Sequence, residues 1–349
     1  MCNIAGYTGD KQAAPILIEM LRREQFFDGG VCTGIATIHE GKLYATKVVG
    51  DVDTLINTTD ALHFPGTIGI AHSRPGGTLV NQAHPFTDES NNLALVLNGT
   101  LIDVEPEFFD ASKNIMQAFL DRGFTIKSAI EKNGYLKCLS NGLTYHDTEP
   151  YALYAGDKCD QGMSLCEALC EAVSQLPADI ITMAIHTNEP DTIAIGKVTR
   201  PLWAGIGEHE TYLATTPQAF PEDMRFRAIT AAPFAAVSKA RPGEFTVTSH
   251  VMKDVRVHPI TPTLVAKAYT YLESILKGQK DTPKSLYDFS VRELFPTSEI
   301  DCKYNHNNEW MKPSAQLTYE ILWAFQMEGR LHTVLGDRNG NKIWKFGLD

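Results

Sequence analysis

Apolar positions along this chain follow two rhythms, and they change places several times. Ile4-Ala5-Gly6-Tyr7 is a short apolar run that predicts a buried strand at the very start. Over residues 12–23 the spacing becomes helical, with Ile16, Leu17, Met20 and Leu21 on one face and Arg22-Arg23 closing the end. Strands are predicted over 31–38 and 42–49, joined by Glu40-Gly41, and again over 67–72 and 93–97. Helices are predicted over 112–123 and 126–133, from 147 onward, and over 161–175. A second β-rich block covers 179–251, with strands over 180–185, 192–196, 201–205 and 211–215. Past Pro259-Ile260-Thr261-Pro262 the pattern turns helical over 263–277, 284–294 and 314–329. It closes with two short β-type runs, 331–334 and 342–346, on either side of Asn339-Gly340, a strong hairpin signal. Two sets of strands separated by helices predict stacked sheets in a layered protein. The ending predicts a small helical, winged-helix-like module, so the chain divides into residues 1–258 and 259–349.

Composition sharpens this picture only in places. A chain of 349 residues has room for one large domain and a small one. It holds no run of about 18 apolar residues, so no membrane span is expected. The N-terminus lacks the basic stretch and apolar core of a signal peptide, which predicts a cytoplasmic protein. A net charge of −11 argues against nucleic-acid binding. Residues 259–349 carry 11 Lys+Arg against 11 Asp+Glu, a net of zero, whereas a DNA-binding winged helix would be basic. That segment therefore suits packing, homo-oligomer formation or docking of a partner. The seven cysteines form no secreted disulfide framework. Cys159, Cys166 and Cys170 could approach one another, but without histidine or C-x-x-C spacing they read as core rather than metal ligands.

The candidate chemistry lies in four polar stretches. Cys2 follows the initiator, so removal of Met1 would leave a thiol and a free α-amine on one residue, a nucleophile with its own base. Asn98-Gly99 ends a strand and offers a side-chain amide and an unshielded backbone N–H for an oxyanion. Arg74, in His72-Ser73-Arg74, can grip a carboxylate with two hydrogen bonds. Asp147, in Asp147-Thr148-Glu149, can pair with an ammonium group. Taken singly, Cys2 reads as a small buried hydrophobe, Arg74 as a surface ion pair, Asp147 as a helix cap and Asn98-Gly99 as a turn. Together they suit an α-amino acid with an amide on its side chain.

In order along the chain, Met1-Cys2-x-Ile4-x-Gly6-Tyr7, Gly69 to Arg74, Asn81-Gln82-Ala83-His84-Pro85, Asn98-Gly99-Thr100-Leu101-Ile102 and Asp147-Thr148-Glu149 resemble the glutaminase domain of the class II glutamine amidotransferases. The likeness covers roughly residues 1–255. It is strongest to the domain in glucosamine-6-phosphate synthase, and amidophosphoribosyltransferase is also similar. It implies an α+β, four-layer αββα sandwich of the N-terminal-nucleophile (Ntn) hydrolase type. It implies hydrolysis of glutamine, or a related γ-glutamyl amide, to glutamate and ammonia through a thioester on Cys2, with no cofactor and no metal. By matching position, Asn98 and Gly99 would form the oxyanion hole, Arg74 would bind the α-carboxylate and Asp147 the α-amine. His84 would support the substrate loop or serve structure alone.

The sequence departs from this family in specific ways. Asn3 follows the nucleophile where the family has glycine, and Asp28-Gly29-Gly30-Val31 replaces an Arg-Gly-x-Asp segment. Pro75-Gly76-Gly77-Thr78 replaces a longer Trp-Ala-Thr-His loop. These changes leave the exact amide open. Only about 90 residues follow the matched region, too few for sugar-isomerase domains. The resemblance then implies either a separate synthase chain that accepts the ammonia or a stand-alone amidohydrolase. A non-catalytic, amino-acid-sensing module on the same fold is the reading from another class.

Overall fold

The computed structural model describes residues 2–100, 106–131, 138–225, 228–253, 255–279, 282–297 and 310–349. Two sheets stack face to face. The first runs in the order β13 (Ala228–Ala231), β11 (Trp203–Ile206), β12 (Thr211–Ala214), β1 (Asn3–Thr8), β4 (Ile68–Arg74), β2 (Cys32–His39) and β3 (Lys42–Val49). The second runs β15 (Glu244–Val251), β14 (Ala236–Arg241), β10 (Ile193–Lys197), β9 (Asp179–His186), β6 (Leu93–Thr100) and β5 (Phe86–Thr87).

Strands covered on both faces read as nearly continuous apolar runs, and that is why Ile68-Gly69-Ile70-Ala71 and Leu93 to Leu97 stand out in the sequence. Their inward side chains, including Ile4, Ile70, Val96, Ile181 and Met183, form the dry layer between the sheets.

Each outer face is covered by helices. On the second sheet lie α3 (Pro106–Asp121), α4 (Glu149–Asp160) and α5 (Leu165–Gln175), sharing a core with Leu95, Ile180 and Val237. A capping box at Ser164 and Glu167 starts α5. On the first sheet lies α1 (Ala13–Asp28), flanked by the short helices α2 (Val52–Thr58) and α6 (Glu222–Arg225). The result is the expected four-layer αββα sandwich.

The C-terminal residues pack on top of α1. They comprise α7 (Pro262–Leu276), α8 (Ser314–Met327) and a small sheet of β16 (Lys284–Ser285), β18 (Asn341–Leu348) and β17 (Leu331–Arg338). Leu272, Leu276, Phe325 and Phe346 share one core with Leu17 and Leu21 of α1. Phe27 bridges the two parts, with ring centroids 5.9 Å from Tyr319 and 5.7 Å from Phe346. Cys159 and Cys166 are packed in the core of the second sheet. Cys302 and the 101–102 part of the Asn98 motif lie outside the described residues.

Two helical predictions are corrected. Within 126–133 the described residues form strand β7 (Ile130–Glu131), paired with β8 (Leu143–Thr144); residues 132–133 lie outside the described set. The backbone N–H groups of Lys127 and Ser128 donate to the Glu149 carboxylate, at 2.6 and 3.1 Å, instead of to helical carbonyls. Within 284–294, Lys284 and Ser285 pair with β18, and only Arg292–Leu294 makes a 3₁₀ turn. Ser285 donates both N–H and O–H to Asp288, each at 2.7 Å, the local competition that unseats a helix. Helix α1 also runs past Arg23 to Asp28, because Glu24 and Gln25 are buried and used: the Glu24 carbonyl accepts Asn3 Nδ2 at 2.6 Å.

Candidate active site

The strand register brings the polar stretches together. In the first sheet Asn3 pairs with Ser73 and Cys32 with Arg74. One step further along the ladder brings Cys2 level with Arg74. The second sheet delivers Asn98-Gly99 at the end of β6 to the same edge. There the Cys2 N–H donates to Asn98 Oδ1 at 2.9 Å. That bond spends the amide oxygen of Asn98 and leaves its Nδ2 buried with no hydrogen-bond partner. A buried donor without a partner costs about 1–3 kcal/mol, so a fold that keeps one has a use for it. Gly99 is needed for space as well as for its N–H: a Cβ there would lie 2.4 Å from Ile180 Cγ2 and 2.6 Å from the Asp179 carbonyl.

Arg74 is held from behind. Its Nη1 donates to the Gln82 carbonyl at 2.8 Å and lies 2.9 Å from His146 Nε2. Nη1 is thereby turned toward Gln82 and His146, while the Nε/Nη2 edge has no partner among the described residues. That edge is the one a carboxylate meets with two bonds. The support continues outward. Gln82 Nε2 donates to the Ser128 carbonyl, and Ser128 Oγ donates to the buried Glu149 and accepts the His146 N–H at 2.7 Å. On the other side His146 Nδ1 lies 2.9 Å from Asp147 Oδ1. His146 thus ties the candidate carboxylate receptor to the candidate amine receptor.

Electrostatics divide these groups by role. Burial pushes the Cys2 thiol above its ordinary pKa, and the Arg74 guanidinium only partly offsets this. The thiol is therefore protonated at neutral pH and needs a base. For Asp147 burial also works against ionisation, but His146 and then Arg74 outweigh it and hold the carboxylate below its usual range. Burial, with Arg74 and His146 adding to it, keeps His72 neutral; its Nε2 faces the Leu97 carbonyl at 3.1 Å. His84 is neutral for the same first reason. It is buried, stacked 3.8 Å from the His72 ring, with Nε2 3.0 Å from Thr148 Oγ1. It stands behind the site and away from the cavity wall.

Cys2, Arg74 and Gly99 line a cavity of about 390 Å³, and Tyr287, Arg338 and Asn339 of the C-terminal layer line it too. Sequence reading missed His146, Gln82 as a brace, Ser128, Glu149 as their anchor, and the C-terminal residues. Gln82 and Glu149 lie inside the motifs quoted above; nothing local marks Tyr287 or Arg338. Away from this cavity, ligand atoms of Asp88, Asp160 and His186 come within 4.8 Å of one another. They do not fit a metal: the Asn188 N–H donates to His186 Nδ1 at 3.1 Å, which places the ring proton on Nε2, where a metal would need the lone pair.

No protein-family model matches the chain. Curated relatives and solved structures do. The chain is 26% identical over 317 residues to glutamine–fructose-6-phosphate aminotransferase (isomerizing) of Pyrococcus horikoshii, covering 87% of this chain and 48% of that protein. To the protein of the same name from Tropheryma whipplei it is 30% identical over 229 residues, 64% of this chain and 33% of that one. The fold matches the allosteric regulatory enzyme of purine biosynthesis at a TM-score of 0.55 and 19% identity, over 73% of this chain and 50% of that chain. It matches the glutamine phosphoribosylpyrophosphate amidotransferase of B. subtilis at a TM-score of 0.53 and 17% identity, over 77% and 58%. In sequence this chain is similar to glutamine–fructose-6-phosphate aminotransferases, and it shares its fold with these two solved structures. It spans about half the length of the Pyrococcus relative. Among the described residues no helix is long and apolar enough to cross a membrane.

Proposed function

We propose that this chain is a cysteine amidohydrolase of the glutaminase type, with residues 1–258 as the glutaminase domain and 259–349 as a module built onto it. The observation that carries this reading is the Cys2–Asn98 hydrogen bond, which leaves a buried amide N–H₂ idle beside the thiol. Removal of Met1 turns the same Cys2 nitrogen into an α-amine, with a pKa near 7.7–8.0 and a fixed acceptor in Asn98 Oδ1. The amine takes the thiol proton as sulfur adds to the side-chain amide carbon. Asn98 Nδ2 and the Gly99 N–H receive the developing oxyanion. The amine then returns the proton to the departing nitrogen, which leaves as ammonia, and water hydrolyses the thioester to glutamate. Arg74 holds the α-carboxylate through its free edge, Asp147 holds the α-amine, and His84 positions through Thr148.

The test is intact-mass spectrometry after brief exposure to 6-diazo-5-oxo-L-norleucine, with turnover of L-glutamine measured in parallel. A chain lacking Met1 that gains one adduct on Cys2, with turnover lost in Cys2→Ala, supports the reading. A processed chain that gains no adduct and releases no glutamate sinks it. Ammonia delivery to a separate synthase chain is the partner this reading implies, and co-purification with an acceptor enzyme would test it.

A further inference from the structure

The cavity over Cys2 has walls from opposite ends of the chain, and the C-terminal wall carries a cation. Asn339 and Gly340 both adopt positive φ, 55° and 83°, which is the two-residue turn that joins closely paired strands. That turn fixes the register at Arg338 opposite Asn341, so Arg338 is the last residue of β17. The strand pair is anchored at its far end by fully buried Phe346 and Leu348, and at its flank by Ser285 against Lys345. The position of Arg338 at the mouth is therefore set by a packed sheet.

Its side chain is also held. The guanidinium carbon lies 3.2 Å from the centre of the Tyr287 ring. The Tyr287 hydroxyl donates to Asp28 Oδ1 at the end of α1. The contact covers one side of the guanidinium and lets Arg338 act on the Tyr287 hydroxyl as well, while its other N–H donors have no partner among the described residues. Among the described residues no carboxylate forms a salt bridge with Arg338. Arg338 is exposed and lines the Cys2 cavity, as does Asp28, whose carboxylate is already engaged by the Tyr287 hydroxyl.

Glutamine does not need this second cation. Its one carboxylate is matched by Arg74 and its amine by Asp147. With its α-carbon end held at Arg74 and its amide carbon at Cys2, such a substrate would release its amine within the cavity that Arg338 also lines. We propose that Arg338 is a specificity-determining residue, and that the substrate is a γ-glutamyl amide with an anionic group on its nitrogen side. The reaction is hydrolytic: the C–N bond breaks, the thioester forms on Cys2, water releases glutamate, and the acidic amine departs with the proton. This inference rests on the glutaminase-type reading above and names its substrate class.

The test compares γ-L-glutamylglycine, γ-L-glutamylmethylamide and L-glutamine on the full processed chain. One charge-assisted contact should favour γ-glutamylglycine over γ-glutamylmethylamide by roughly tenfold or more in kcat/KM. In Arg338→Ala that ratio should fall to within about threefold of unity, and Arg338→Lys should restore part of it. If Arg338→Ala also loosens the hairpin, all rates fall together and the ratio still reads the charge. A parent ratio near one, or a ratio that survives in Arg338→Ala, overturns the inference while L-glutamine turnover upholds the reading beneath it. A parent that turns over none of the three amides overturns both.

Discussion

The two walls of the Cys2 cavity are built in opposite ways. The inner wall is made of strand ends: Cys2 beside Arg74 by register, Asn98-Gly99 from the facing sheet, each buried or half-buried and hydrogen-bonded. The outer wall is a turn and a loop, Arg338 and Tyr287, held by stacking and one hydroxyl and open to water. The first arrangement fixes atoms to fractions of an ångström, as bond-making requires. The second presents a charge at an entrance, which is enough to choose among substrates. On the proposed reading, chemistry and selection fall to different structural materials.

Undocking the outer wall should have the largest effect. Phe346 is fully buried between α1 and the C-terminal helices. Truncation to alanine costs about 3–5 kcal/mol for a buried aromatic. Phe346→Ala should lower unfolding stability by that amount in denaturant titrations. If the two walls are one cooperative unit, circular dichroism and Trp fluorescence (Trp344 lies on β18) will report one transition at the lower midpoint. Two separated transitions would mean that the outer wall folds as a unit of its own.

The inner wall has a smaller but sharper sensitivity. Asn98→Ala removes the idle Nδ2 donor and should reduce kcat by about 100- to 1,000-fold with KM little changed. A proportional loss in KM alone would show that Asn98 serves binding rather than the transition state. One step back, Ser128→Ala cuts the link between Glu149 and the His146 N–H. Because the residue positions Arg74 and Asp147 only through others, KM for glutamine should rise roughly tenfold while kcat holds. An unchanged KM would remove Ser128 from the support of the site.

This contrast also explains what could be read from the sequence. The inner wall was legible because strand-end chemistry is local: Cys2, Arg74, Asn98-Gly99 and Asp147 each sit in a short polar stretch attached to an apolar strand or helix start. The sheets were legible for the same reason. Ser128 and Tyr287 were not, because each lies in a segment whose amphipathic spacing suggests a helix. In both segments a buried or capping carboxylate, Glu149 or Asp288, captures the backbone N–H groups first. That capture involves a partner 21 or more residues away for Ser128 and three away for Ser285. Periodicity carries no trace of the former, and it hides the latter. His146 sits directly before a quoted motif, yet its role appears only when Arg74 arrives from another strand.

The last prediction concerns the seam where the inner wall meets the C-terminal layer. Glu24 is fully buried on α1, and neither of its carboxylate oxygens has a hydrogen-bond partner. Burial pushes its pKa well above the usual carboxylate value. In the unfolded chain the group ionises near pH 4.3, while in the folded chain it keeps its proton to higher pH. Between those two points the folded state binds more protons, so stability falls as pH rises, by about 1.4 kcal/mol per pH unit. Glu24→Gln removes the titration but keeps the size. The variant should therefore gain on the parent as pH climbs from 5 toward 8, measured as the difference in denaturant midpoints at each pH. A difference that stays flat over that range would mean that the Glu24 carboxyl is ionised in the folded chain, with its charge matched at the seam itself.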